Sequence, residues 1–259
     1  MDLSKEVVVI TGGSSGIGKS TAIEFAKKGA SVIIIGRTKS KLIDVLDQLK
    51  KYNEKCSCIV CDVKDKNKIN STIKLILEKY GRINILVNNA GIAIYNEFSD
   101  LKDEEIHEIF DTNFFSIVYF CKYAIPIMKN QSYGHIINVS SVVSKISSPN
   151  LAIYSASKSA VYAFSESLYY ELKKYGIKVT VVCPGATKTN LFNNKSWEKF
   201  PAEKRHKNAM PPEKVAKEII NSVKKYKFEV IVPKSFNFKI KALHLFRNSI
   251  MKKIEKLPR

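Results

Sequence analysis

Thr11-Gly12-Gly13-Ser14-Ser15-Gly16-Ile17-Gly18-Lys19-Ser20 follows the β-branched run Val7–Thr11 and opens a helical pattern running from about Ile17 to Gly29. The stretch spells three motifs at once. Residues 13–20 match G-x-x-x-x-G-K-S, a loop that wraps nucleoside triphosphates. Residues 12–16 match G-x-S-x-G, a turn that presents a nucleophilic serine. Gly12, Gly16 and Gly18 give T-G-x-x-x-G-x-G, a turn in which a helix N-terminus faces a pyrophosphate. All three require a strand before and a helix after, so the immediate neighbourhood does not choose between them. Residues far along the chain do.

Tyr154-Ser155-Ala156-Ser157-Lys158 sets a phenol and an ammonium one helical turn apart on the same face, with Ser141 thirteen residues upstream of the tyrosine. A phenol with a pKa near ~10 needs help to move a proton at neutral pH. A neighbouring ammonium favours the phenolate and supplies that help. With Ser141 holding the same oxygen, the trio suits interconversion of a carbonyl and an alcohol, provided hydride is available. Alone, the Y-x-x-x-K spacing fits equally an amphipathic helix with a core tyrosine and a solvated lysine. A triphosphatase or a serine hydrolase leaves the trio unused, and none of the four histidines sits in a hydrolase-like motif. A dinucleotide turn accounts for both ends of the chain.

Apolar strand patterns alternate with helical ones: 7–11, 31–36, 56–62, 83–88, 134–140, 178–183 and, as an edge, 228–232. Helical patterns lie between them near 41–52, 66–80, 103–129, 154–175 and 213–225. Strands this apolar predict an α/β fold, a single doubly wound Rossmann-type domain whose parallel sheet is covered by helices on both faces. At 259 residues and 45% hydrophobic, the chain supports one large core. The formal charge of +19 comes mostly from lysines dispersed over polar helix faces, which argues against a nucleic-acid partner. Cys56, Cys58 and Cys61 read as core thiols of a buried strand with no fourth ligand, so no metal is expected. The five cysteines, the absence of a secretory signal and the absence of an apolar run of ~18 residues predict a cytoplasmic protein.

At this point the chain resembles the short-chain dehydrogenase/reductase superfamily from about Lys5 to Leu191. The landmarks fall in order: TGGSSGIG at 11–18, Asp62-Val63, Asn88-Asn89-Ala90-Gly91, Asn113, Ser141, Tyr154 with Lys158, and Pro184-Gly185 followed by Thr189. The resemblance implies an oxidoreductase in which Tyr154 is the general acid, Ser141 positions the carbonyl, and Lys158 both contacts the nicotinamide ribose and lowers the Tyr154 pKa. Asn113 distorts its helix and links to Lys158 through water. It further implies that Gly12, Gly16, Ile17 and Gly18 underlie the pyrophosphate, and that Asp62 and Val63 meet the adenine. Asn88, Asn89, Ala90 and Gly91 lie along the cofactor, with sheet-edge support as a second role for Asn88. Pro184, Gly185, Thr187 and Thr189 meet the carboxamide. The turn Ile35-Gly36-Arg37-Thr38-Lys39 contains no acid, so Arg37, helped by Ser14 and Thr38, points to NADP(H). Ser15 stands where some NADP enzymes of the family place a base, and NAD(H) stays open.

Leu191, Phe192, Trp197, Phe200 and Met210 suggest a lid over residues 190–212 that covers an apolar carbonyl or alcohol substrate, lipid, acyl or steroid-like. An ordinary surface flap reads the same way. Residues 1–223 are expected to form the enzyme domain, and 224–259 a basic extension with eleven Lys/Arg against two Glu. Ala242, Leu243, Phe246, Ile250, Ile254 and Leu257 recur there at helical spacing. Such a helix either lies on an anionic membrane surface or packs on the domain or a partner. The family resemblance implies a homo-oligomer, dimer or tetramer. Rival functions are a non-catalytic NADP-binding regulator and a P-loop nucleotidase.

Overall fold

Seven apolar runs pair in parallel into one sheet: β1 (Val7–Thr11), β2 (Ser31–Gly36), β3 (Ser57–Val60), β4 (Ile85–Asn88), β5 (Gly134–Val139), β6 (Ile177–Pro184) and β7 (Glu229–Val232). The structure is a computed structural model that describes residues 2–192, 195–200, 209–238 and 240. The strand order is β3-β2-β1-β4-β5-β6-β7. Val8 aligns with Val32 on one side and Ile85 on the other. The direction of winding therefore reverses between β1 and β4, and a crevice opens beyond their C-terminal ends.

Alternation along the strands splits the core in two. Val8, Ile10, Val32 and Ile34 face a layer with Phe25 and Ala26 of α1 (Gly16–Ala26), Leu42 and Leu49 of α2 (Lys39–Lys50) and Ile219 of α7 (Pro212–Lys224). Val9, Ile33 and Ile35 face Ile73 of α3 (Lys66–Tyr80), Phe120 of α5 (Ser116–Asn130) and Val161 of α6 (Ala152–Leu172). Both faces are dry, which is why these strands show no polar alternation.

Three expectations need correction. The single helix over 103–129 is α4 (Asp103–Phe110) and α5, joined by a π-helical turn at Asp111–Phe115. The strand around the cysteines is not buried: β3 is an outer strand, and Val60 is 52% exposed. β4 starts at Ile85, two residues later than expected, and side chains of the residues before it and of Gln131 tie that stretch down. Asn84 Oδ1 accepts from Val7 N (2.9 Å), and Ile83 N donates to Gln131 Oε1 (3.0 Å). β7 forms the opposite edge, as expected. No helix among the described residues is long and apolar enough to cross a membrane. The amphipathic pattern of the tail, from Ala242 to Leu257, lies outside the described residues, as does 201–208 of the lid stretch.

Candidate active site

Gly12 (φ +65°) and Gly16 (φ +53°) turn the chain from β1 into α1 through left-handed backbone that side-chain-bearing residues avoid. A Cβ on Gly18 would collide with the Gly12 carbonyl oxygen and lie 2.6 Å from Asn89 Nδ2. The turn is tied across the switch point to the end of β4. Thr11 Oγ1 accepts from Asn89 N (2.9 Å) and Ala90 N (3.0 Å), and Asn89 Nδ2 donates to Thr11 O (3.0 Å). Ser15 precedes α1 with extended backbone and makes no side-chain cap bond to the first-turn amides. A triphosphate loop does not fit. Lys19 does not line the cleft, and Ser20 Oγ donates to Glu213 Oε1 (3.1 Å) rather than facing a metal site. A serine hydrolase fits no better: of the described histidines, neither His107 nor His135 lines the cleft.

From this turn a cleft of about 660 Å³ runs along the C-terminal edge of the sheet. One end is lined by Ser14, Ser15, Arg37, Thr38, Asp62 and Val63; Gly12, Gly16, Ile17, Asn89, Ala90 and Gly91 line its middle. Pro184, Gly185, Thr187 and Thr189 line the wall beyond β6. A Cβ on Gly16 would lie 2.9 Å from Thr189 Cγ2, so the two walls meet closely there. Gly18 lies beneath the turn instead of lining it. Asn88 is corrected: even-numbered positions of β4 point under α5 and α6. Its Nδ2 donates to Asn138 Oδ1 (2.8 Å), and Asn138 Nδ2 donates to Ser165 Oγ (2.9 Å). Asn88 supports the sheet, and Asn89 beside it reaches the glycine turn.

Ser141 ends β5's extension and caps a short turn, accepting from Val143 N (3.3 Å) and donating to Pro184 O (3.4 Å). Its side chain lines the same cleft as Tyr154. α6 places Tyr154 and Lys158 on one buried face, with Lys158 Nζ 5.9 Å from the Tyr154 ring centroid and donating to Val139 O (2.9 Å). Burial pushes Tyr154 up to about 12, opposed by the nearby Ser141 hydroxyl, and pushes Lys158 down to about 8. The expectation that Lys158 lowers the tyrosine is therefore overturned for these side chains alone. The missing solvent sets the direction, and the ammonium is held by a carbonyl rather than by the phenol.

Asn113 occupies the π-turn and does not line the cleft. Its Oδ1 accepts from Ile92 N (2.8 Å), while Nδ2 donates to Ile92 O (2.9 Å) and Ser157 Oγ (3.1 Å). A Cβ on Gly91 would sit 3.2 Å from Asn113 Oδ1 and 3.4 Å from Lys158 Nζ. The extra backbone residue of the π-turn brings this amide against the loop after β4, so Asn113 fixes the loop and the helix that flank Tyr154 and Lys158.

A family model described as short chain dehydrogenase matches residues 6–199. The chain belongs to the short-chain dehydrogenase family. It is 35% identical over 240 residues to dehydrogenase/reductase SDR family member 7B of Xenopus laevis, covering 89% of this chain and 74% of that protein. A short chain dehydrogenase/reductase from Burkholderia phymatum, solved in complex with NAD, superposes with TM-score 0.88 at 21% identity, covering 100% of this chain and 97% of the other. A metagenomic short-chain oxidoreductase solved in complex with NADP gives TM-score 0.76 at 26% identity, covering 89% and 97%.

In this short-chain dehydrogenase the far end of the cleft is apolar. Leu191, Trp197 and Phe200 pack with Tyr95, Ala93, Val143 and Leu151 around Tyr154. Of the lid residues expected from sequence, Met210 is elsewhere. Its backbone bonds Ala186 O (2.9 Å) and its side chain joins the α1–α7 core, since the chain has by then turned back toward α7. The Phe192 side chain lies outside what the structure describes. Sequence reasoning missed Tyr95, Leu151, Cys61 and Lys41, all of which line the cleft. Lys41 had a legible signal, a cation one turn into the helix that follows Arg37. Tyr95 had none, because only the chain path brings it beside Trp197.

Proposed function

We propose that the protein is an NADP(H)-dependent carbonyl reductase/alcohol dehydrogenase acting on an apolar ketone, with Tyr154 as general acid. The observation that carries this reading is that Ser141, Tyr154 and Lys158 are all buried and line the same cleft that begins at the glycine turn, with Lys158 Nζ 5.9 Å from the Tyr154 ring centroid. The turn fits a dinucleotide. Gly12 and Gly16 line the cleft through left-handed backbone, Gly18 lets the turn pack against Gly12 and Asn89, and the first-turn amides of α1 suit a pyrophosphate. Arg37 and Lys41, with Ser14 near Gly36, would hold a 2′-phosphate; Asp62 and Val63 would take the adenine. Proteins of this fold have been solved with NAD and with NADP, which supports the cofactor class. The bound nicotinamide supplies hydride.

The chain's own work is positioning and proton transfer. Ser141 holds the carbonyl oxygen beside the Tyr154 hydroxyl, which stays protonated across the neutral range and donates to the developing alkoxide. Lys158 holds positive charge beside that oxygen, and Asn113 fixes the loop and helix around it. A homo-oligomer and a basic extension from 224 to 259 that contacts membrane or the domain belong to the same proposal. Tyr154→Phe tests it: turnover with NADPH and an apolar ketone should fall by on the order of a hundred- to ten-thousandfold, with NADPH affinity kept. Unchanged turnover would remove Tyr154 from the chemistry.

A further inference from the structure

The apolar end of the cleft is closed by three rings that touch one another. Tyr95 and Trp197 lie 5.1 Å apart between centroids, Tyr95 and Phe200 5.2 Å, and Trp197 and Phe200 5.8 Å, in tilted and edge-to-face arrangements. Their polar edges are engaged by protein. Trp197 Nε1 donates to Ala93 O (3.1 Å), and the Tyr95 hydroxyl accepts from Asn150 Nδ2 (2.9 Å). Three segments are thereby stapled together, because Tyr95 N also donates to Ser196 Oγ (3.0 Å), Lys199 Nζ to Asn96 Oδ1 (2.8 Å) and Asn96 N to Asn150 O (3.0 Å). The charged side chains that line the cleft are Arg37, Lys41, Asp62 and Lys158. The first three stand at the ends of β2 and β3 and at the start of α2, and Lys158 belongs to the reacting trio. Among the described residues, the ring-walled end has no lining charge.

We infer that Tyr95, Trp197 and Phe200 form a preformed specificity cage that selects uncharged ketones with a flat aromatic or alicyclic body, Trp197 being the residue that sets the choice. The inference rests on the carbonyl-reducing reading above and narrows its substrate class. Ring faces held at fixed angles match a rigid planar body, which stacks without losing rotamer freedom. A flexible chain gains less from walls that do not adapt to it. A carboxylate or phosphate on the body would be desolvated here with no lining cation among the described residues to meet it.

The test uses the full-length protein with NADPH and, in parallel, NADH. Acetophenone, 4-acetylbenzoate and butan-2-one are the substrates. Acetophenone should exceed 4-acetylbenzoate in kcat/KM by on the order of a hundredfold, and butan-2-one by roughly tenfold or more. Trp197→Ala should raise the KM for acetophenone about tenfold, with a smaller change in kcat and no change in NADPH affinity. Trp197→Phe keeps the ring and loses the bond to Ala93, so it should retain the preference; Phe200→Ala should weaken it independently. Equal turnover of acetophenone and 4-acetylbenzoate, or an equal loss for every ketone in Trp197→Ala, would overturn the cage. Trp197 is the chain's one tryptophan, so its fluorescence reports the cage without turnover. Saturable quenching of Tyr154→Phe protein by acetophenone and not by 4-acetylbenzoate supports the cage even if no ketone oxidises NADPH, in which case the proposed reaction alone fails. No quenching by acetophenone sinks the cage whatever the turnover.

Discussion

At Tyr154 and Lys158 burial sets the protonation states, and it moves the two groups in opposite directions. Tyr154 is pushed up to about 12 and Lys158 down to about 8. The ammonium is the charged form of the lysine, so burial disfavours it and it is lost as pH rises through about 8. The phenol remains protonated over the same interval. Ketone reduction, followed as kcat/KM against pH, should therefore be level on the acid side and decline above about pH 8 with the titration of Lys158. A limb set by the tyrosine would lie far more alkaline. A rate that rises through pH 8 would contradict the assignment of the charge to Lys158. The spacing of Tyr154 and Lys158 on one helical face was legible in the sequence, and so was Ser141. The direction of the tyrosine's shift was not. It depends on how completely β5, β6 and the loop after β4 exclude water, which no local spacing encodes.

Among the elements, the glycine turn and the π-turn hold the site from opposite sides. A Cβ on Gly18 would run into the Gly12 carbonyl oxygen and the Asn89 amide across the switch point. Gly18→Ala should therefore abolish measurable dinucleotide binding and destabilise the fold by roughly 1–3 kcal/mol, read by calorimetric titration and urea unfolding. A variant of unchanged stability that still binds would show that the contact yields cheaply. The three overlapping motifs at 11–20 were resolved only by residues far from them, and the structure gives the physical reason: Ser20 is engaged by Glu213 on α7. The π-turn left only a faint trace, an asparagine inside an otherwise helical run. A single inserted backbone residue does not alter apolar periodicity enough to be read, and the two helices it joins looked like one. The outer position of β3 was equally hidden, because apolar residues there, including the half-exposed Val60, imitate a buried strand.

For the molecule as a whole, strand content and the α/β class were legible because both faces of the sheet are covered and the strands read as unbroken apolar runs. The aromatic cage was half legible: Trp197 and Phe200 stood out, whereas Tyr95 joins them only through the chain path. Stability carries its own pH signature. His135 on β5 has Nε2 2.8 Å from Thr180 Oγ1 on β6, and burial lowers it to about 3 from the usual 6.5. Its folded pKa is depressed, so the neutral imidazole costs nothing above about 6.5, and stability is lost as pH falls toward about 3. Between pH 6.5 and 4.5 this amounts to on the order of 2–3 kcal/mol. Urea unfolding should show a smaller loss over that interval in His135→Gln, and equal losses would remove His135 from the acid limb. The most direct test of the whole account is calorimetric titration of NADPH and NADH against the intact protein and its Arg37→Ala variant. The account predicts NADPH bound more tightly than NADH, by roughly tenfold or more, with that preference lost in Arg37→Ala. Binding of neither nucleotide would contradict it.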